Sequence, residues 1–290
     1  MFGECHAHVI MDGVNYRKAV ELHQNGVQDK VIHQCFEKYQ EGSVRFVRDG
    51  GDNLGVSKRA KQIAGQYQID YRTPVFAIHK KGHYGGIVGH GFSTMEEYHS
   101  LVRQAKCEGA DFIKIMTTGI MDFKKEGALT GESLSLSEVK EMVDIAHDEK
   151  MSVMSHTNGV LGVQTAVLAG VDSIEHGNFM NESTLELLAK TNCVWVPTLV
   201  TVRNLLGCGR FSDQSLEKII SSAEKNLRYA YSIGVKVALG SDAGAYMVPH
   251  GSGIYDEYRA FCKIIGNQSE VDRWIGEGET IIKNRFSRKN

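Results

Sequence analysis

The sequence predicts a closed (β/α)8 barrel formed by a single domain, residues 1–290. Short β-rich segments alternate with amphipathic helical segments along the whole chain, and the strand candidates number eight. Strict alternation is typical of parallel β/α units, and eight units favour closure into a barrel over an open sheet. With 290 residues, the chain has the length of many single-domain barrels.

The strand candidates are GECHAHV (3–9), SVRFVRD (43–49), TPVFAIH (73–79), DFIKIMTT (111–118), MSVMSH (151–156), VDSIEH (171–176), CVWVPTL (193–199) and VKVALGSD (235–242). The helical segment SLSEVKEMVDIAHDEK begins with Ser135 and Glu138 at capping-box spacing. Further helices are expected from about residue 252 onwards. The alternative is a doubly wound open sheet, but VIMDGVNY lacks the glycine-rich phosphate turn that such a fold needs after its first strand.

Composition and charge argue against several classes of function. A net charge of −2 offers no basic patch, so neither nucleic acid nor an anionic membrane is a predicted partner. There is no apolar run of bilayer-spanning length and no secretory signal pattern. The six cysteines are scattered without a C-x-x-C pair, which predicts reduced thiols in a cytoplasmic protein. Homo-oligomerisation stays open.

The chemistry-bearing residues of the sequence fall at the strand ends. In barrels of this class the active site lies at the C-terminal ends of the strands. His6 and His8 share one face of the first strand because side chains alternate with period two. Each polar strand residue alone is more often structural. Together, and in this order, they predict a metal-dependent active site built from His6, His8, Lys114, His156, His176 and Asp242.

Lys114 lies within an apolar strand segment, and the strand register turns it towards the barrel lumen with His6 and His8. A neutral buried lysine is a poor metal ligand, and a charged one repels metal ions. Imidazole and carboxylate ligands favour Zn²⁺, with Mn²⁺, Fe²⁺ or Co²⁺ as alternatives.

These features resemble the amidohydrolase superfamily over nearly the whole chain. The shared pattern is H-x-H on strand one, a lysine on strand four, one histidine each on strands five and six, and an aspartate on strand eight. GADFIKIMTTG, SHTNG, SIEHG, VPTLVT and GSDAG, together with SVRFVRDGG and KKGHYGG, are similar to one branch of this superfamily. That branch contains imidazolonepropionase-like proteins, metal-dependent prolidases and Xaa-Arg dipeptidases.

The resemblance implies a binuclear centre and a hydrolase acting on an amide, peptide-like or cyclic amide C–N bond of a small molecule. It implies two divalent ions, carboxylation of Lys114 by CO2, and a hydroxide shared by the two ions as nucleophile. Asp242 is implied as general base and then general acid. The implied ligands are His6, His8, Lys114 and Asp242 for the first ion, and Lys114, His156 and His176 for the second. The branch usually carries a small β-sandwich around the barrel; since this sequence starts at strand one, we expect the barrel without it.

Three alternatives and the substrate contacts stay open. A deaminase of the superfamily usually has a glutamate shortly after the strand-five histidine, where this sequence has TNGVLG. The same centre serves lactonases and phosphotriesterases. A non-catalytic metal-binding barrel would show eroded ligands, and these are intact. Specificity belongs to the loops after the strands, in which an arginine or histidine suits an anionic group such as a peptide carboxylate. The candidate substrate contacts are His83, Arg203, Tyr246 and His250.

Overall fold

The strands of the protein are short and parallel, and most are fully buried. The computed structural model describes residues 3–123, 125 and 127–288. Its strands are β1 (Glu4–Ala7), β2 (Phe46–Asp49), β3 (Asp70–Arg72), β4 (Ala77–Lys80), β5 (Gly89–Phe92), β6 (Ile113–Met116), β7 (Val153–Thr157), β8 (Ser173–His176) and β9 (Val194–Val196). Burial on both faces is expected of a parallel sheet that is covered by helices outside and filled by side chains inside.

The strands form two parallel ladders, β1-β2-β3 and β5-β4-β6-β7-β8-β9. Residues 236–243 join the last strand to the first. The Ala238 N–H donates to the Trp195 carbonyl on β9, and the Cys5 N–H on β1 donates to the Leu239 carbonyl, each at 3.0 Å. The ring of parallel strands therefore continues across this segment, in the order expected of the predicted barrel.

Two predicted strands differ in detail from the structure. The third, predicted for residues 73–79, is strand only from Ala77 onwards, as β4, and the unpredicted β3 lies before it; Pro74 has no N–H for a ladder, and Val75 has a φ of 67° in the left-handed region. The eighth is reduced to isolated bridges, in which Val237 pairs with Trp195 and Ala243 with Ala7.

β5 is an additional strand that is not among the eight strand candidates. It pairs with β4 in parallel, with Gly89 opposite Ala77. A Cβ at Gly89 would lie 1.9 Å from the Ala77 carbonyl oxygen, so only glycine permits this approach.

The helices cover the outside of the strands with their apolar faces. They are α1 (Tyr16–Glu21), α2 (Asp29–Glu41), α3 (Val56–Ile63), α4 (Met95–Cys107), α5 (Leu136–Asp148), α6 (Val160–Ala169), α7 (Glu182–Ala189), α8 (Val200–Arg203), α9 (Asp213–Ser232), α10 (Gly253–Ile265) and α11 (Gln268–Arg285), with a 3₁₀ turn at Ala64–Tyr67. The capping box predicted for α5 is present, since Ser135 and Glu138 each accept the other's backbone N–H. Across the described part of the chain, no helix combines the length and apolar character needed to cross a membrane.

The C-terminal helix α11 packs against a cluster of side chains from the strands. Ile282 on this helix and Phe286 just after it are fully buried against Phe46, Phe112 and Met154. Phe46 begins β2, Phe112 directly precedes β6, and Met154 is the second residue of β7. The helix α11 therefore covers the N-terminal end of the barrel. The opposite end, where the strands terminate, is left to the functional residues.

Candidate metal centre and substrate cavity

His6, His8 and Asp242 form the tightest cluster of ligand-type side chains. The Asp242 Oδ1 lies 3.5 Å from the His6 Nε2 and 3.6 Å from the His8 Nε2. One ligand atom of each residue falls within 4.8 Å of the others, which is compatible with a shared ion. The Asp242 N–H donates to the His6 carbonyl at 2.8 Å, so backbone pairing next to β1 places the carboxylate beside the histidines.

His8 depends on a glycine of the neighbouring strand. A Cβ at Gly50, directly after β2, would lie 2.2 Å from the His8 Cε1. The glycine in SVRFVRDGG therefore makes room for the imidazole ring of His8.

Lys114, His156 and His176 complete the predicted set around the same cavity. The ring centroids of His156 and His176 are 4.7 Å apart, and those of His176 and His6 are 5.0 Å apart. Lys114 on β6 is 1% exposed and lines the cavity, as the strand register predicts. All six residues proposed as ligands from the sequence therefore converge at one place.

Several buried polar atoms in this cluster have no hydrogen-bond partner among the described residues. Buried polar groups in proteins are normally paired, so unpaired atoms that are also good metal donors fit a site for divalent cations. Three such donors in the cluster are unpaired, namely His6 Nε2, His8 Nδ1 and Asp242 Oδ1, and the Lys114 Nζ, which is not a good metal ligand itself, is unpaired beside them.

Burial controls the protonation of these side chains. Together with the nearby Lys114 charge, it lowers the pKa of His8 and His156 to about 3. These imidazoles are therefore neutral at pH 7, the form that binds metal ions. Burial also lowers the pKa of Lys114 to about 8 and raises that of Asp242 to about 8. Uncompensated burial disfavours the charged form of both groups.

A buried charge network orients His6 from behind. The Glu175 Oε2 pairs with the His6 Nδ1 at 2.7 Å, and the Arg48 Nη2 donates to the Glu175 Oε1 at 2.8 Å. Arg48 also donates to the Cys5 carbonyl at 2.7 Å and to the Ser173 Oγ at 2.9 Å. With a proton on Nδ1 held by the carboxylate, the His6 Nε2 presents its lone pair to the cavity.

His176 is held in a comparable way. Its Nδ1 lies 2.8 Å from the Thr198 Oγ1, and its carbonyl accepts the Trp195 indole N–H at 2.8 Å. Glu175, Arg48 and Thr198 are not among the site residues predicted from the sequence. All three lie in the motifs SIEHG, SVRFVRDGG and VPTLVT that carry the family resemblance.

The cavity above the cluster has a volume of about 270 Å³. Its lining is mostly apolar and aromatic, and it includes Tyr84, Phe123, Arg210, Phe211 and Tyr246. Of the substrate contacts suggested by the sequence, Tyr246 alone belongs to this lining within the described residues. Arg210 and Phe211 were not among the contacts suggested by the sequence.

The other three suggested contacts lie elsewhere in the structure. Arg203 forms an ion pair with Glu224. Both ring nitrogens of His250 are engaged: Nδ1 lies 3.0 Å from the Tyr39 hydroxyl, and Nε2 lies 2.7 Å from the Met11 carbonyl oxygen. His83 lines a separate, open depression beside the N-terminus of α5.

Comparison with known proteins gives consistent results. The Amidohydrolase family model matches residues 76–261. Ochratoxinase of Aspergillus niger is 26% identical over 274 residues, covering 82% of this chain and 56% of that protein. The chain thus spans about half the length of the curated relatives it matches.

Solved structures share the fold. The crystal structure of A. niger ochratoxinase has a TM-score of 0.76 at 19% identity, with 96% of this chain and 70% of that chain covered. A Xaa-Pro dipeptidase with bound methionine in the active site has a TM-score of 0.75 at 20% identity, covering 97% and 75%. The predicted fold class and the resemblance stated from the sequence are confirmed.

Proposed function

Because the chain belongs to the Amidohydrolase family, we propose that it is a metal-dependent hydrolase of an amide or peptide C–N bond in a small molecule. The observation that carries this proposal is the convergence of six ligand-type side chains on one cavity, with donor atoms that no other described group satisfies. The similarity of the chain to ochratoxinase and to a Xaa-Pro dipeptidase supports an amide or peptide C–N bond as the bond that is cleaved.

We assign the ligands as the sequence suggested. His6, His8 and Asp242 would hold one divalent ion, supported by their mutual distances. His156 and His176 would hold a second, supported by the close approach of their rings. Zinc is the favoured metal because the donors are imidazole nitrogens and a carboxylate. When bound, such ions supply Lewis acidity that activates water and polarises a carbonyl.

Lys114 is proposed to carry a carboxyl group derived from CO2. The neutral Nζ attacks the carbon of CO2, an N–C bond forms, and one proton is released to solvent, which leaves a carbamate anion. Its low exposure, its unpaired amine and its lowered pKa favour the neutral amine that this reaction requires. The carbamate would offer two oxygens that share one negative charge, whereas an ammonium would repel cations.

Asp242 is proposed as the proton-transfer residue. Its carboxylate borders the cavity beside both histidines of β1. A carboxylate at this position can accept a proton from the attacking water and then donate it to the departing amide nitrogen.

Metal analysis combined with a substrate panel tests the function. We expect chelator-sensitive release of free amine from N-acyl amino acids or dipeptides, restored by zinc. The variant His6→Ala should lose metal and activity, whereas His99→Ala, which alters a histidine on α4 outside the cavity lining, should retain both. Turnover of lactones or phosphotriesters alone would reassign the reaction. Metal binding without turnover of any of these substrates would indicate a non-catalytic barrel.

A further inference from the structure

Three aromatic residues form one side of the cavity, here called the aromatic wall: Phe123, Phe211 and Tyr246. Phe123 and Phe211 stack with centroids 4.7 Å apart and an interplanar angle of 26°. The wall belongs to an apolar cluster that includes the buried Leu205 and Leu216. It is therefore supported by packed side chains from separate segments of the chain.

Arg210 places a cation on this wall. Its guanidinium lies 4.8 Å from the centroid of the Tyr246 ring and 5.4 Å from that of Phe211, within cation–π range. Contact with the two rings keeps the guanidinium beside the aromatic wall. The N–H donors, which lie in the guanidinium plane, can still bind a carboxylate through two parallel hydrogen bonds.

The Arg210 charge has no acidic partner among residues 3–123, 125 and 127–288. Its neighbour Arg203, by contrast, is paired with Glu224. Within the same described lining, Arg210 and Lys114 are the cationic side chains, and Lys114 lies among the ligand residues. Arg210 is thus an unpaired cation next to an apolar surface in the proposed substrate cavity.

We propose that Arg210 binds the carboxylate of the substrate and that the aromatic wall binds an apolar side chain next to that carboxylate. The preferred substrates are then N-acylated amino acids with a bulky apolar side chain, and the cavity discriminates against amides without a carboxylate. This inference rests on the proposed amide hydrolysis and adds the substrate class. Neutral lactones and phosphotriesters offer nothing that uses the Arg210 charge.

The cavity volume agrees with a compact substrate. About 270 Å³ lies near the lower end of small-molecule sites, which span about 300–1,000 Å³. Such a space suits an amino acid with a short acyl group. Because Arg210 and the ligand residues line the same cavity, one substrate can place its carboxylate at the guanidinium and its amide carbonyl at the metal centre.

The test compares N-acetyl-L-phenylalanine with N-acetylphenethylamine, which lacks only the carboxylate. Amine release by the zinc-loaded wild type should show a higher kcat/KM for the carboxylate substrate. Arg210→Met, which keeps an apolar chain on the rings, should lower the ratio of the two kcat/KM values by about 10- to 100-fold, the range for one charge-assisted hydrogen-bonding group. Most of the loss should appear in KM, and Arg210→Lys should recover part of it.

Arg259→Met is the matched control, because Arg259 is an exposed arginine of α10 outside the cavity lining. Calorimetric binding of L-phenylalanine, the amino acid product, gives a readout independent of turnover and should weaken in Arg210→Met alone. An unchanged substrate ratio and unchanged product affinity in Arg210→Met overturn this inference while leaving amide hydrolysis intact. Hydrolysis of neither amide, with intact binding of L-phenylalanine, contradicts the proposed function instead.

Discussion

The buried pair of Arg48 and Glu175 provides a sharp test of how the barrel supports the proposed metal centre. Both side chains are 0% exposed, and the guanidinium donates to both carboxylate oxygens, at 2.8 Å and 3.0 Å. Arg48→Met removes the cation but approximates the length of its aliphatic chain. Glu175 then stays buried without the charge that compensates it.

The loss of folding free energy expected for Arg48→Met follows from the unpaired charge of Glu175. Breaking a buried ion pair by removing one partner destabilises proteins by about 3–5 kcal/mol. Loss of the Arg48 bonds to the Cys5 carbonyl and the Ser173 hydroxyl places the effect towards the upper end of that range. In the double variant Arg48→Met/Glu175→Gln no unpaired charge is left, so the double variant should be less destabilised than the sum of the single variants.

Urea unfolding followed by circular dichroism measures these free energies, and zinc titration measures the effect on the site. Since Glu175 orients His6, Glu175→Gln should weaken zinc binding by about 10- to 100-fold. The control Arg59→Met breaks an exposed pair with Asp29 and should leave the unfolding midpoint nearly unchanged. A free energy of unfolding for Arg48→Met within about 1 kcal/mol of wild type, against the cost stated above, would refute the reasoning.

Three further predictions concern single positions. Lys114→Ala, grown with bicarbonate and zinc, should contain fewer bound ions than wild type by metal analysis; unchanged metal content would exclude Lys114 as the group shared by both ions. Asp242→Asn should retain part of the metal but lose turnover by orders of magnitude, because an amide cannot shuttle a proton; a near-normal rate across pH would place the proton transfer elsewhere. Glu257 is fully buried, and burial raises its pKa from 4.5 to about 8. The folded state therefore holds this proton more tightly than the unfolded chain, so stability from this group is present below pH 4.5 and is lost as pH rises through about 8. The free energy of unfolding, measured with urea between pH 5 and 8.5, should decline less steeply in Glu257→Gln, by up to about 1.4 kcal/mol per pH unit; identical slopes would contradict the assignment.

The sequence predicted those parts of the site that depend on local periodicity. His6, His8 and Lys114 face the lumen because side-chain alternation in a strand is fixed by its backbone. His176 and Asp242 could be placed at strand ends, although not in the conformations they adopt. Both have a positive φ, 69° and 61°, which turns the chain directly at the ligand.

What could not be predicted depends on contacts between distant parts of the chain. Arg48 and Glu175 are 127 residues apart and meet only because β1, β2 and β8 surround one lumen. For the substrate contacts, an arginine in the loops after the strands was expected because it can bind an anionic group. Only tertiary packing shows that Arg203 is paired with Glu224 while Arg210 lies on the rings of the aromatic wall. The sequence therefore indicated that an arginine suits a substrate carboxylate, but it did not show which arginine reaches the cavity.

The same packing links the metal centre to the covered end of the barrel. The Arg48 guanidinium lies 4.5 Å from the centroid of the Phe286 ring, directly after α11, and 5.9 Å from that of Phe112. Phe286 thus shields from water the cation that holds Glu175, and Glu175 in turn holds His6. Because water would weaken this chain of charge interactions, the packing at the end of α11 helps to keep His6, a proposed ligand, in its orientation. The C-terminal helix therefore supports the chemistry of the site without touching it.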